Sequence, residues 1–80
     1  MKNKIIHVKA IWDKEAKVWV AISEDVPGLV TEAETLEQLI KKLQVMIPEL
    51  LEANGLINSN ETEIPFHLLS ERTEIAKLGV

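Results

Sequence analysis

The sequence contains no cysteine, so neither a disulfide nor a thiolate metal site is available to it. That fits a reducing compartment, and a cytoplasmic location is the expectation. Arginine occurs once, at Arg72, and 13 acidic residues face 9 basic ones, for a net charge of −4. Nucleic-acid affinity rests on basic contacts to phosphate, so direct nucleic-acid binding is not expected. Aromatic side chains are equally few: Trp12, Trp19 and Phe66. They do not make the platform of exposed rings beside cations that single-stranded RNA binding uses. No run approaches the ~20 apolar residues of a membrane span. The basic start Met1-Lys2-Asn3-Lys4 lacks the apolar stretch of a signal peptide behind it. No membrane association is expected.

Catalytic constellations are missing too. His7 and His67 are the two histidines and fall on separate predicted strands, with no carboxylates spaced to join them as metal ligands. Ser23, Ser59 and Ser70 lack a recognisable base or a glycine-rich nucleophile turn. Pro27-Gly28 offers one glycine, too few to cradle a phosphate. Glu24, Asp25, Glu32 and Glu34 are close in sequence, and paired carboxylates can do acid–base work. A solvated acidic loop, with charge favoured near a helix N-terminus, explains them more simply. The expectation is a non-enzyme with no cofactor and no metal.

What is present is the punctuation of a small fold. Eighty residues make a single α+β domain spanning 1–80, with a core modest enough for oligomerisation to add stability. Residues 4–13 alternate: Ile6, Val8, Ala10 and Trp12 share one face, while Ile5, His7, Lys9, Ile11 and Asp13 share the other. After the loop Lys14-Glu15-Ala16-Lys17, Val18–Ser23 alternates again, completing a β-hairpin. Pro27-Gly28 marks a type II turn, because proline presets φ and glycine accepts φ > 0 at the next position. Residues 29–33 follow as a short third strand.

Thr35-Leu36-Glu37-Gln38 fits a helix capping box. Leu36, Leu39, Ile40, Leu43, Met46, Ile47, Leu50 and Leu51 then fall on one helical face. Asn54-Gly55 supplies the stop. Pro48 predicts a bend, not a break. Residues 56–62, with Asn58-Ser59-Asn60, read as a polar loop. Residues 63–70 form a last strand with Ile64, Phe66 and Leu68 inward, and Pro65 favours an edge position. Residues 71–80 could extend that strand, form another or dock on a neighbour. The architecture is β-β-β-α-β, a mainly antiparallel sheet with one long amphipathic helix packed on one face.

The core is expected to combine the helix stripe with Ile6, Val8, Trp12, Val18, Val20 and Ile22. Trp19 would then face outward with Ile5 and Ile11, and a partly apolar outer face is a covered or contacted one. Either the tail or the last strand covers it, or a partner does. The acidic balance suits a basic partner. The candidate partner-binding residues are therefore Trp19, Glu24, Asp25 and Glu32.

The run Glu24-Asp25-Val26-Pro27-Gly28 before Glu34-Thr35-Leu36 resembles the HicB-like antitoxin superfamily. Asp25-Val26-Pro27-Gly28 matches its acidic–apolar–Pro-Gly pattern, and Glu34-Thr35 matches its acidic-Thr helix start. Ala33 stands where that family usually has glycine, and Gln38-Leu39 where it often has Glu-Ala. The hairpin from Trp12 to Val20 and the helix end from Met46 to Glu52 resemble a small uncharacterised branch of the same superfamily. The resemblance implies the HicB-like N-terminal fold and the toxin-binding part of an antitoxin. Its partner would be a small basic mRNA-cleaving toxin, neutralised by occlusion. The superfamily's C-terminal DNA-binding domain has no counterpart in these residues. The rival expectation is a self-associating structural or adaptor module without a toxin partner. A homodimer or higher homo-oligomer fits both.

Overall fold

Asp13 closes the first hairpin. Its Oδ1 accepts the backbone N–H groups of Glu15 (3.0 Å) and Ala16 (3.2 Å), and its carbonyl accepts that of Lys17 at 2.7 Å. Lys17 turns the chain with φ 59°, a left-handed conformation costly for a residue with a Cβ. The computed structural model describes residues 5–57 and 63–79. Lys4 and the polar stretch Asn58-Ser59-Asn60 lie outside the described residues.

Strand β1 (Ile6–Asp13) pairs antiparallel with β2 (Val18–Ile22), which pairs antiparallel with β3 (Val30–Ala33). The loop fixes the register: Asp13 pairs with Val18, Trp12 with Trp19 and Ala10 with Ala21. Directly paired residues share a face, so Trp19 and Ala21 point with Trp12, Ala10, Val8 and Ile6. Trp19 is 8% exposed and lies in the core. The expectation that Val18, Val20 and Ile22 face inward is therefore overturned. They occupy the opposite face, and Ile22 is 43% exposed. The rest of the inward set of β1 holds, with Trp12 half-buried against the core.

The stretch between β2 and β3 is built around its turn. Leu29 N–H bonds the carbonyl of Val26 at 3.1 Å, and Gly28 takes φ 83°. This buries Val26 and Leu29 on either side of the exposed Pro27-Gly28. Helix α1 (Leu36–Ala53) starts at Thr35, whose Oγ1 accepts the N–H of Gln38 at 3.1 Å. It runs unbroken through Pro48 and buries Leu39, Leu43, Ile47 and Leu51. It ends in a Schellman motif: Gly55 at φ 69° donates to Glu52 O (3.0 Å), and Leu56 N–H to Leu51 O (2.8 Å). Asn54 Nδ2 donates to Leu50 O (2.8 Å) and to Pro27 O (3.5 Å), tying the helix end to the turn.

Strand β4 (Phe66–Glu71) pairs parallel with β1, giving a four-stranded mixed sheet in the order β3-β2-β1-β4. Pro65 precedes this edge strand and its carbonyl accepts the N–H of Ile6 at 3.1 Å. Ile64, Phe66 and Leu68 point toward the core, half-buried. The helix packs over β3 and β2, where Lys42 Nζ donates to the carbonyl of Glu32 at 2.6 Å. Residues 72–79 form an exposed arm without regular secondary structure, and the molecule measures 59 × 23 × 19 Å. Among the described residues no helix is long and apolar enough to cross a membrane.

Candidate interaction face

One helix covers one face of the sheet, and among the described residues the other face has no layer over it. Strand alternation and register determine what that face displays. Val30, Ile22, Lys9 and Leu69 lie in one row across the four strands. Glu32, Val20, Ile11 and Glu71 make the next, and Val18 beside Asp13 a third. The centre is aliphatic: Ile22, Ile11, Val30 and Leu69 are exposed, and Val18 and Val20 half-buried. Acidic side chains, Glu32 on β3, Glu71 on β4 and Asp13 at the hairpin, punctuate it. Lys9 Nζ approaches Glu71 Oε1 at 3.7 Å, so this central cation is shared with an acid. The face is apolar with a net acidic rim, a character that favours contact with a partner's apolar surface bordered by basic groups.

The four candidate partner-binding residues do not form one patch. Trp19 lies on the helix side of the sheet, packed against Trp12, and the face reading that singled it out is corrected by the hairpin register. Glu32 is on the outer face, opposite Val20. Glu24 is exposed beyond the end of β2, past the row that carries Ile22. Asp25 is engaged in the fold: its Oδ2 accepts the backbone N–H of His7 at 2.8 Å. Ser23 completes this clamp. Its Oγ donates to the carbonyl of His7 (2.6 Å) and accepts the N–H of Asp25 (3.1 Å). Two side chains thus continue the pairing of β1 where the β2 ladder stops at Ile22.

Sequence reasoning missed Val18, Val20, Ile22, Val30 and Leu69 as outer-face residues. The signal for the β2 residues was in the loop length: Trp12 and Trp19 stand equally far from the turn, and equal distance means one face. The parallel pairing of β4 also brings together the histidines, which a reading by separate strands kept apart. His7 pairs with His67, and their rings stack at 5.7 Å between centroids, 24° between planes. Among the described residues no group of three or more histidine and carboxylate side chains could hold a metal ion.

At the start of the arm, the Arg72 guanidinium lies 4.2 Å from the Trp12 ring centroid, a cation–π contact. Arg72 Nε also donates to Glu74 Oε2 at 2.6 Å. That hydrogen bond, with the guanidinium charge, holds the Glu74 carboxyl below its ordinary pKa.

The family described as "Domain of unknown function (DUF1902)" matches residues 5–79. The crystal structure of the hypothetical protein TTHA1013, from the extremely thermophilic bacterium Thermus thermophilus, is similar to this chain. The two share 52% sequence identity, the match covers 94% of this chain and 100% of that one, and the TM-score is 0.69. No curated protein matches the chain.

Proposed function

This chain belongs to the DUF1902 family, and we propose that it is an antitoxin-like protein-binding domain with a HicB-like fold. It performs no chemistry. It associates with a small basic protein and neutralises it by covering its surface; an mRNA-cleaving toxin is the partner class the sequence resemblance implies. The observation that supports this reading is the outer sheet face, where Ile11, Ile22, Val30 and Leu69 are exposed among Glu32, Glu71 and Asp13. The net charge of −4 adds long-range attraction for a basic partner.

The test is affinity capture of the tagged protein from its native lysate at low salt, in parallel with an Ile22→Lys, Glu32→Lys variant. The expected result is a small basic protein in stoichiometric amount, released by high salt and absent from the variant. Equal retention by the variant, or recovery of no basic protein, overturns the proposal.

A further inference from the structure

The arm after β4 presents apolar side chains that none of the described residues cover. Ile75 is 74% exposed and Leu78 97%. Next to it lies an equally incomplete surface. Among the described residues β4 is a sheet edge, with one row of its backbone N–H and C=O groups turned away from β1 and without a strand partner there. The helix sits over β3 and β2, leaving Phe66 and Leu68 half-buried on the β4 flank. There a depression of about 380 Å³ opens between Leu43, Ile47 and Pro48 of α1 and Ile64 and Phe66. We propose that two copies of this chain pair antiparallel along residues 66–79, each arm extending the sheet at the other's β4 edge and completing that flank.

The alternation of side chains supports this occupant. Arg72 lies on the helix side of the sheet, against Trp12, in step with Phe66, Leu68 and Ser70. Extended continuation places Glu74, Ala76 and Leu78 on that side and Ile75 on the outer side. Pairing the two segments antiparallel about a two-fold axis at Arg72 sets Leu78 opposite the partner's Phe66. In the same register Ile75 comes opposite the partner's Leu69. Leu78 then faces the apolar depression, and Ile75 meets Leu69, itself 61% exposed on the outer face.

The like charges at the axis are already compensated within each chain, since Arg72 bonds Glu74 and lies on Trp12. Eight extended residues reach about 26 Å, enough to span a body 19–23 Å across. Each copy is donor and acceptor at once, so the contact closes as a dimer and does not propagate.

The measurement uses the isolated full chain, so it stands or fails independently of any toxin partner. Sedimentation equilibrium of the wild type should give the mass of two chains. An Ile75→Asp, Leu78→Asp variant should shift to one chain that still unfolds in a cooperative thermal transition, because both residues are exposed in the single chain and only the strand pairing of the arms is lost. The absence of cysteine makes the register testable as well. A Leu69→Cys, Ile75→Cys variant should oxidise to a covalent dimer, because directly paired antiparallel residues lie within disulfide reach. A Val45→Cys, Ile75→Cys control should not. A wild type that stays monomeric at high concentration, a dimer unmoved by Ile75→Asp with Leu78→Asp, or a Leu69→Cys, Ile75→Cys variant that fails to crosslink would each overturn the proposal.

Discussion

Trp12 and Trp19 face each other directly across the first hairpin, their rings 5.3 Å apart and inclined at 59°. Such tilted pairs contribute about 0.5–1.5 kcal/mol beyond the area they bury. The pair joins β1 to β2 on the helix side and carries the Arg72 guanidinium at its edge, so it connects the core to the base of the arm.

Trp19→Ala should therefore destabilise the domain by about 3–5 kcal/mol, the range for removing a large buried aromatic. Trp12→Ala should cost less, because Trp12 is only half-buried. Urea denaturation of the two variants checks the order. A loss below about 1 kcal/mol for Trp19→Ala would put its ring outside the core.

Gly28 and Gly55 hold positive φ, at 83° and 69°, at the two ends of one contact. Alanine at either position should cost about 1–2 kcal/mol, the penalty of a Cβ in left-handed backbone. At Gly28 the added Cβ would also rest 3.8 Å from Leu50 Cδ2, an ordinary contact, so conformation and not crowding is the cause. Thermal melts of the single variants and the double variant measure both effects. Because Asn54 links the helix end to the carbonyl of Pro27, the double variant should depart from additivity.

Asp25 holds the end of β1 through the backbone N–H of His7. Asp25→Ala should destabilise by about 1–2 kcal/mol, the scale of a hydrogen bond to a charged acceptor discounted for exposure. It should also speed hydrogen exchange at the His7 amide. Asp25→Asn keeps an acceptor oxygen and should restore most of the protection. Charge reversal at Asp25 would thus disturb the fold, and electrostatic tests of partner binding belong at Glu24 and Glu32, both exposed.

Most of the fold was legible because its signals are local. Thr35 and Gln38 mark the helix start, Asn54-Gly55 marks its end, and Pro27-Gly28 marks the turn, each through chemistry within a few residues. The face of β2 was misread because its two sides are almost equally apolar: Trp19 and Ala21 against Val18, Val20 and Ile22. Composition cannot choose between such sides, and the register set by Asp13 and Lys17 does. The acidic candidates were grouped by sequence proximity, but a strand end and a turn separate Glu24 from Glu32, and the backbone of His7 engages Asp25. The His7–His67 contact depends on the parallel pairing of β4, a non-local choice that strand patterns leave open.

Glu74 should titrate below an ordinary glutamate, since Arg72 hydrogen-bonds its carboxylate and attracts its charge. A folded-state pKa lowered in this way contributes stability that is present above the unfolded pKa and lost as pH falls through the folded one. Glu74 is exposed, so the contribution is small. A carboxyl-detected NMR titration should show the Glu74 midpoint rising in Arg72→Gln. An unchanged midpoint would mean that the pair does not persist in solution.

Outer-face substitutions distinguish side chains the fold requires from those it merely displays. Ile22 and Val30 pair across β2 and β3 on that face and are both exposed. Ile22→Thr and Val30→Thr keep the β-branched shape that strands favour, and each should change stability by less than about 1 kcal/mol. Leu43→Ala, on the buried helix stripe, should cost about 2–5 kcal/mol by leaving a cavity. Chemical denaturation of the three variants in one buffer checks the contrast. If the threonine variants are as unstable as Leu43→Ala, the outer face is needed for folding and its apolar character says nothing of a partner. If they fold normally but lose a captured partner, their apolar character serves association, because the domain stands without it.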